Sequence, residues 1–111
     1  MKVAAIVPAY NEKDRISAVL DAIKKASRVD EIIVVSDGCT DGTYELVSAD
    51  RAVKAIRHET NRGKGAAMRT GAENTDADVV LFLDADLIGM DGGLVDAMAA
   101  PVAEGEADMA I

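Results

Sequence analysis

The amino-acid sequence predicts an α/β fold, a mainly parallel sheet with flanking helices, in one domain over residues 1–111. Two observations carry this. Short apolar runs alternate with stretches of helical periodicity, the order expected of successive βαβ units. Of the residues, 50% are hydrophobic but only 3% aromatic, and Ala, Val, Ile and Leu supply the filling that a sheet covered on both faces requires. No internal repeat or low-complexity linker divides the chain.

The elements follow in order. Residues 3–7 form an apolar run closed by Pro8, expected to be a buried first strand. Over 13–25, Ile16, Val19, Leu20 and Ile23 recur at helical spacing, with Asn11 as the expected N-cap. A second strand is expected over 32–35, ended by Ser36-Asp37-Gly38, then a short helix over 42–49 capped by Thr40 or Asp41. Residues 53–57 read as a weaker third strand, and Gly63 and Gly65 break the chain before a helix opening at Ala66-Ala67-Met68-Arg69. A fourth strand over 79–83 runs directly into Asp84-Ala85-Asp86. Residues 94–102 read as a helix despite Pro101, and 107–111 as the opening of another strand. Each crossover is expected to be right-handed. Because the chain stops inside that last apolar run, the expected domain is incomplete at its C-terminus.

A formal net charge of −8 argues against a nucleic-acid partner. Six of the 12 cations nevertheless lie in one stretch: Arg51, Lys54, Arg57, Arg62, Lys64 and Arg69. That suits a small phosphorylated ligand and equally a solvated helix face. Cys39 is the single cysteine, so no internal disulfide forms and a reducing cytoplasm is expected. The N-terminus lacks the long apolar core and cleavage site of a signal peptide. The apolar run 79–83 is too short to span a bilayer, and membrane association is left as an expectation for a longer protein.

In open parallel sheets, ligands bind beyond the carboxyl ends of the strands. Each of the four expected strand ends carries a polar segment: Pro8-Ala9-Tyr10-Asn11-Glu12, Ser36-Asp37-Gly38-Cys39-Thr40-Asp41-Gly42, Asn61-Arg62-Gly63-Lys64-Gly65 and Asp84-Ala85-Asp86. Asp84 and Asp86, one residue apart after a buried strand, are hard oxygen ligands suited to Mg2+ or Mn2+, which keep positions open for phosphate oxygens. Such an ion stabilises charge on a departing diphosphate; plain strand termination is the alternative. In Asn61-Arg62-Gly63-Lys64-Gly65 the glycines let the backbone approach an anion closely and a helix N-terminus follows, with a flexible basic turn as the equal alternative. No Walker loop occurs, and no Gly-x-Gly-x-x-Gly follows the first strand. Tyr10 and Glu12 suit stacking on a base and hydrogen bonding to a ribose, or simply loop packing and a first-turn carboxylate. Asp37 suits a base nitrogen or the turn itself. Cys39 reads as a small turn residue and His58 as a strand-end surface residue, neither with a catalytic role.

In this order and spacing the four segments, the second extended through Thr43 and the last through Leu87, resemble the donor-binding half of family 2 glycosyltransferases. These have the Rossmann-like GT-A nucleotide-diphospho-sugar transferase fold. The resemblance covers nearly the whole chain and implies roles. Pro8, Tyr10 and Glu12 would line the nucleoside pocket and Asp37 would read the base. Arg62 and Lys64 would lie near the donor, Asp84 would face the ribose or sugar, and Asp86 would be the principal protein ligand to Mg2+ or Mn2+. The implied reaction moves a sugar from a UDP- or GDP-linked donor to an acceptor of unknown identity. The family's acceptor base would lie beyond residue 111, so no catalytic residue is assigned and the chain alone is expected not to turn over. The family's strand order, 3-2-1-4, would leave 79–83 as an exposed apolar edge inviting self-association.

The sequence departs from the family in places. Ser36 stands where an aspartate usually precedes Asp37, and Ile88 where dolichol-phosphate-mannose-synthase-like members have glutamine. Asp84-Ala85-Asp86-Leu87-Ile88 is similar to glucosyl-3-phosphoglycerate-synthase-like enzymes, which retain anomeric configuration where most of the family inverts. Two other readings stand beside this one. A non-catalytic nucleotide-sugar-binding module would bind with metal and never turn over. A nucleotidyltransferase would carry a glycine-rich, Arg-containing loop after the first strand, unlike Pro8-Ala9-Tyr10-Asn11-Glu12.

Overall fold

A computed structural model describes residues 1–84 and the strand at 109–110; the helix expected over 94–102 lies outside the described residues. The apolar runs become β1 (Val3–Ala9), β2 (Glu31–Asp37), β3 (Val53–His58) and β4 (Val79–Phe82). Between them lie α1 (Lys13–Lys24), α2 (Thr43–Ser48) and α3 (Lys64–Glu73), and β5 (Met109–Ala110) comes last. The sheet has the order β3-β2-β1-β4-β5, with every described pairing parallel.

Strand alternation sorts the core into two layers. Val3, Ala5, Val7 and Ala9 of β1 with Ile32 and Val34 of β2 meet Ile16, Val19, Leu20 and Ile23 of α1 and Val47 of α2. On the opposite face, Ile6, Ile33, Val35 and Phe82 pack against Ala67 of α3. Each large aliphatic side chain fully buried this way contributes about 1.5–3 kcal/mol. The change of face has a topological cause. Chain order runs outward from β1 to β3 and then doubles back to β4, and crossovers of one hand must then place α3 opposite α1 and α2. Gly71 lets α3 lie close to β1, since a Cβ there would stand 2.4 Å from Ile6 Cγ2.

Several boundaries differ from expectation. Pro8 does not end β1 but pairs with Val35. It shares a side with Ile6, whose carbonyl accepts from Leu83 N at 3.0 Å, and pairing with β4 ends at Ile6–Phe82. Its missing N–H therefore falls past the end of that ladder, where a proline is tolerated. The N-cap of α1 is Glu12, not Asn11, whose φ of 51° puts it in the left-handed region. Gly42 occupies the cap position of α2, although the Asp41 carboxylate accepts from Thr43 N at 3.0 Å. Helix α3 begins at Lys64 rather than Ala66, with Gly65 in a first turn whose N–H groups need no intrahelical partner. The expected exposed edge at 79–83 is also corrected, because β5 pairs with Val80 and Leu81. No helix among the described residues is long and apolar enough to cross a membrane.

Candidate functional site

Strands β1 and β4 are neighbours whose following connections leave in different directions, a topological switch point, and in such sheets a crevice opens there. A cleft of about 310 Å³ lies at this end. Pro8, Tyr10, Glu12, Asp37, Lys64 and Asp84 line it, with Ala9, Asn61, Gly63 and Ala67 beside them. Six sequence-derived candidates are thus brought together. Arg62 lines a neighbouring groove with Arg69 and Glu73 instead, and Asp86 lies outside the described residues.

Two loops form one wall, braced against each other. Asn11 Oδ1 accepts from Thr40 N at 2.8 Å, and Thr43 Oγ1 accepts from Glu12 N at 3.1 Å while donating to Asp41 Oδ1 at 2.5 Å. Cys39 does more than fill a turn: its Sγ lies 3.3 Å from both Asn11 N and Ala9 O. This bracing leaves Tyr10 52% exposed at the cleft mouth, a ring free to accept a stacking partner. The Glu12 carboxylate meets Arg15 at 3.3 Å.

Asp37 organises the opposite wall. Its carboxylate is buried and accepts from Arg62 N at 2.9 Å, Gly63 N at 2.9 Å and His58 Nδ1 at 2.8 Å. Burial by itself would raise its pKa. The N–H of Arg62, the imidazole of His58 and the N–H of Gly63 together outweigh that and hold the carboxyl below its ordinary value. Asn61 Nδ2 adds a bond to the Asp37 carbonyl at 3.3 Å. The loop 61–63 runs so close to Gly38 (φ 73°) that a Cβ would stand 2.3 Å from Asn61 N. Gly63, with φ 101°, then turns the chain into α3. That helix starts at the cleft wall without a side-chain cap, so its first-turn N–H groups and positive dipole end favour an anion. Lys64 adds a cation there and pairs with Asp84 at the end of β4.

His58 corrects an expectation. It is not a surface residue but only 7% exposed, with Nε2 2.8 Å from Thr70 Oγ1 on α3. The sequence singles out neither His58 nor Thr70, and Asn61 only as the first residue of the segment Asn61-Arg62-Gly63-Lys64-Gly65. The signal for His58 lies in the register, which places it directly opposite Asp37 at the last rung of β2 and β3 and which the sequence alone does not give. Ser36 is buried with no partner for Oγ, and strand alternation turns it to the α1 face, away from Asp37 and the cleft.

Among the described residues no group of three or more potential metal ligands occurs. Asp84 is a half-exposed carboxylate facing the cleft beside an anion-favouring helix start, a donor that fits a hard divalent ion sharing ligands with phosphate.

Comparisons with known proteins identify the family and the fold. The model of the family described as Glycosyl transferase family 2 matches residues 4–111. The undecaprenyl-phosphate 4-deoxy-4-formamido-L-arabinose transferase of Yersinia pestis (strain Pestoides F) is 35% identical over 95 residues, covering 78% of this chain and 29% of that protein. Glucosyl-3-phosphoglycerate synthase of Mycobacterium tuberculosis, solved with Mn2+, UDP-glucose and phosphoglyceric acid, superposes with a TM-score of 0.82 at 31% identity, covering 95% of this chain and 40% of that one. Its complex with Mn2+, UDP and glucosyl-3-phosphoglycerate gives 0.79 at 30% identity, covering 91% and 39%. The chain therefore spans less than a third of the curated relative and about two fifths of the solved one. The fold is that of the GT-A glycosyltransferases, and the chain belongs to glycosyl transferase family 2.

Proposed function

We propose that this chain is the donor-binding part of a metal-assisted glycosyltransferase, holding a UDP- or GDP-linked sugar in the cleft at the switch point. One observation carries the reading: an exposed ring, three carboxylates, a lysine and an uncapped helix start converge on one cleft of ligand size. Tyr10 stacks on the base, Pro8 and Glu12 complete the nucleoside wall, and Asp37 uses its remaining acceptor capacity on a base N–H. Lys64 and the first turn of α3 hold the diphosphate, with Arg62 nearby. Asp84 faces the ribose or sugar, and Asp86 is the protein ligand to Mg2+ or Mn2+. When bound, that ion withdraws charge from the diphosphate leaving group.

Lys64 and Asp84 neutralise each other across the cleft without ligand, so donor binding redirects the ammonium to phosphate. The relatives' printed names point to different acceptors, undecaprenyl phosphate and phosphoglyceric acid, and we assign none. The acceptor site and base are proposed to lie outside this chain, which then binds donor without transferring sugar. We also assign the chain to the cytoplasm, where a single cysteine with no partner in the sequence is an ordinary finding. Calorimetric titration of UDP and GDP, with and without Mn2+, into wild type and Tyr10→Ala tests the reading. Nucleotide binding that needs metal and weakens in the variant supports it. Equal binding by both proteins removes Tyr10 from the site, and metal-dependent binding by a longer protein that never turns over favours the non-catalytic module.

A further inference from the structure

We propose that His58 is a positioning residue for the donor cleft: acting through Asp37, it holds the loop 61–63 and the start of α3 where a diphosphate can use them. The proposal rests on the donor-cleft reading above. Its basis is a continuous set of buried contacts across three elements. From β3, His58 Nδ1 meets Asp37 Oδ1 on β2, and Nε2 meets Thr70 Oγ1 on α3, both at 2.8 Å. That same Oδ1 accepts Arg62 N, and Oδ2 accepts Gly63 N. The His58 carbonyl accepts from Gly38 N at 3.1 Å, which fixes the turn against which Asn61 lies.

The imidazole thus does two things. It gives the carboxylate a fixed third partner, on the strand side, beside the two loop amides that it accepts from. It also fixes the distance between that carboxylate and α3. With Asp37 ionised, Nδ1 carries the proton and donates to it, and Nε2 meets the Thr70 hydroxyl. Gly63 sits at φ 101°, ψ 157°, a region with no intrinsic preference to hold the loop in place. The orientation of Lys64 and the first helical N–H groups therefore depends on the clamp, and the clamp on His58. A histidine that merely fills space would leave the loop indifferent to which atom stands at Nδ1.

Three variants separate these roles: His58→Leu, His58→Asn and Thr70→Val. Amide exchange at Arg62 and Gly63 is read by NMR in the ligand-free chain. UDP affinity with Mn2+ is read by calorimetry at a temperature where each variant is fully folded. His58→Leu is expected to speed exchange at both amides by about 10-fold or more and weaken UDP by about 10-fold. His58→Asn, whose amide nitrogen stands near the position of Nδ1, is expected to restore both to within about threefold. Unchanged exchange and affinity in folded His58→Leu would overturn the proposal, as would Asn behaving like Leu. Where His58→Leu does not fold, Thr70→Val decides: exchange at Arg62 and Gly63 rises measurably, or the proposal fails. If wild type binds no UDP, the donor reading fails, while the exchange measurements still judge His58.

Discussion

Replacing Asp37 with alanine removes an acceptor used three times, and the cost can be worked from what each donor loses. A hydrogen bond to an ionised group contributes about 1.5–3 kcal/mol. The three donors differ in their recourse. Arg62 is exposed and Gly63 half-buried, so water can take over at their N–H groups, whereas His58 Nδ1 is enclosed. Counting one full loss and two partial ones, Asp37→Ala should destabilise the domain by about 2–4 kcal/mol. At a urea slope of about 2 kcal/mol per molar, the midpoint falls by roughly 1–2 M.

The same carboxylate dictates a pH signature. Its folded pKa lies below the unfolded value of about 3.9, so its stabilisation is fully present above that value and is lost as pH falls through the folded one. The stability gap between wild type and Asp37→Ala should be constant above about pH 5 and shrink below it. Urea unfolding followed by circular dichroism over a pH series reads both quantities. A loss under about 1 kcal/mol, or a gap that does not close in acid, would refute the clamp.

Gly71→Ala sets two effects against each other. Helix propensity alone predicts a gain of about 1 kcal/mol, but a Cβ 2.4 Å from Ile6 Cγ2 must displace β1 or α3, and thermal unfolding should show a net loss of about 1–3 kcal/mol. Gly63→Ala meets no atom within 4 Å, so its expected cost of about 1–3 kcal/mol is backbone strain alone. Unaltered stability would mean the loop readily adopts another path. Lys64→Met removes the cation at the cleft wall and should weaken UDP binding about 10-fold in calorimetry, with less effect as salt rises.

The core was readable because it is built from uninterrupted aliphatic runs: Ile32-Ile33-Val34-Val35 can hardly be other than a strand buried on both faces. Strand ends were less readable, since Ser36, Asp37 and His58 are polar yet continue the ladder into the interior. Apolar periodicity carries no information about them. The burial of Asp37 and His58 follows from mutual hydrogen bonding that exists only after β2 and β3 align, while Ser36 is buried with no partner for its Oγ. His58 illustrates this, because between Arg57 and Glu59 it reads as one more polar surface residue until its register partner is known. Candidate residues after each strand were legible because parallel topology gathers strand ends whatever the local detail. Arg62 escaped that logic: its backbone is held by Asp37 while the residue itself borders the neighbouring groove.

The central claim is a metal-dependent nucleotide site on this chain, and calorimetric titration of UDP with Mn2+ into wild type and Asp86→Ala tests it most directly. The account predicts binding that requires Mn2+ in wild type and falls at least about 10-fold in a folded Asp86→Ala variant. Binding of equal strength with and without metal, or unchanged in the variant, would contradict it.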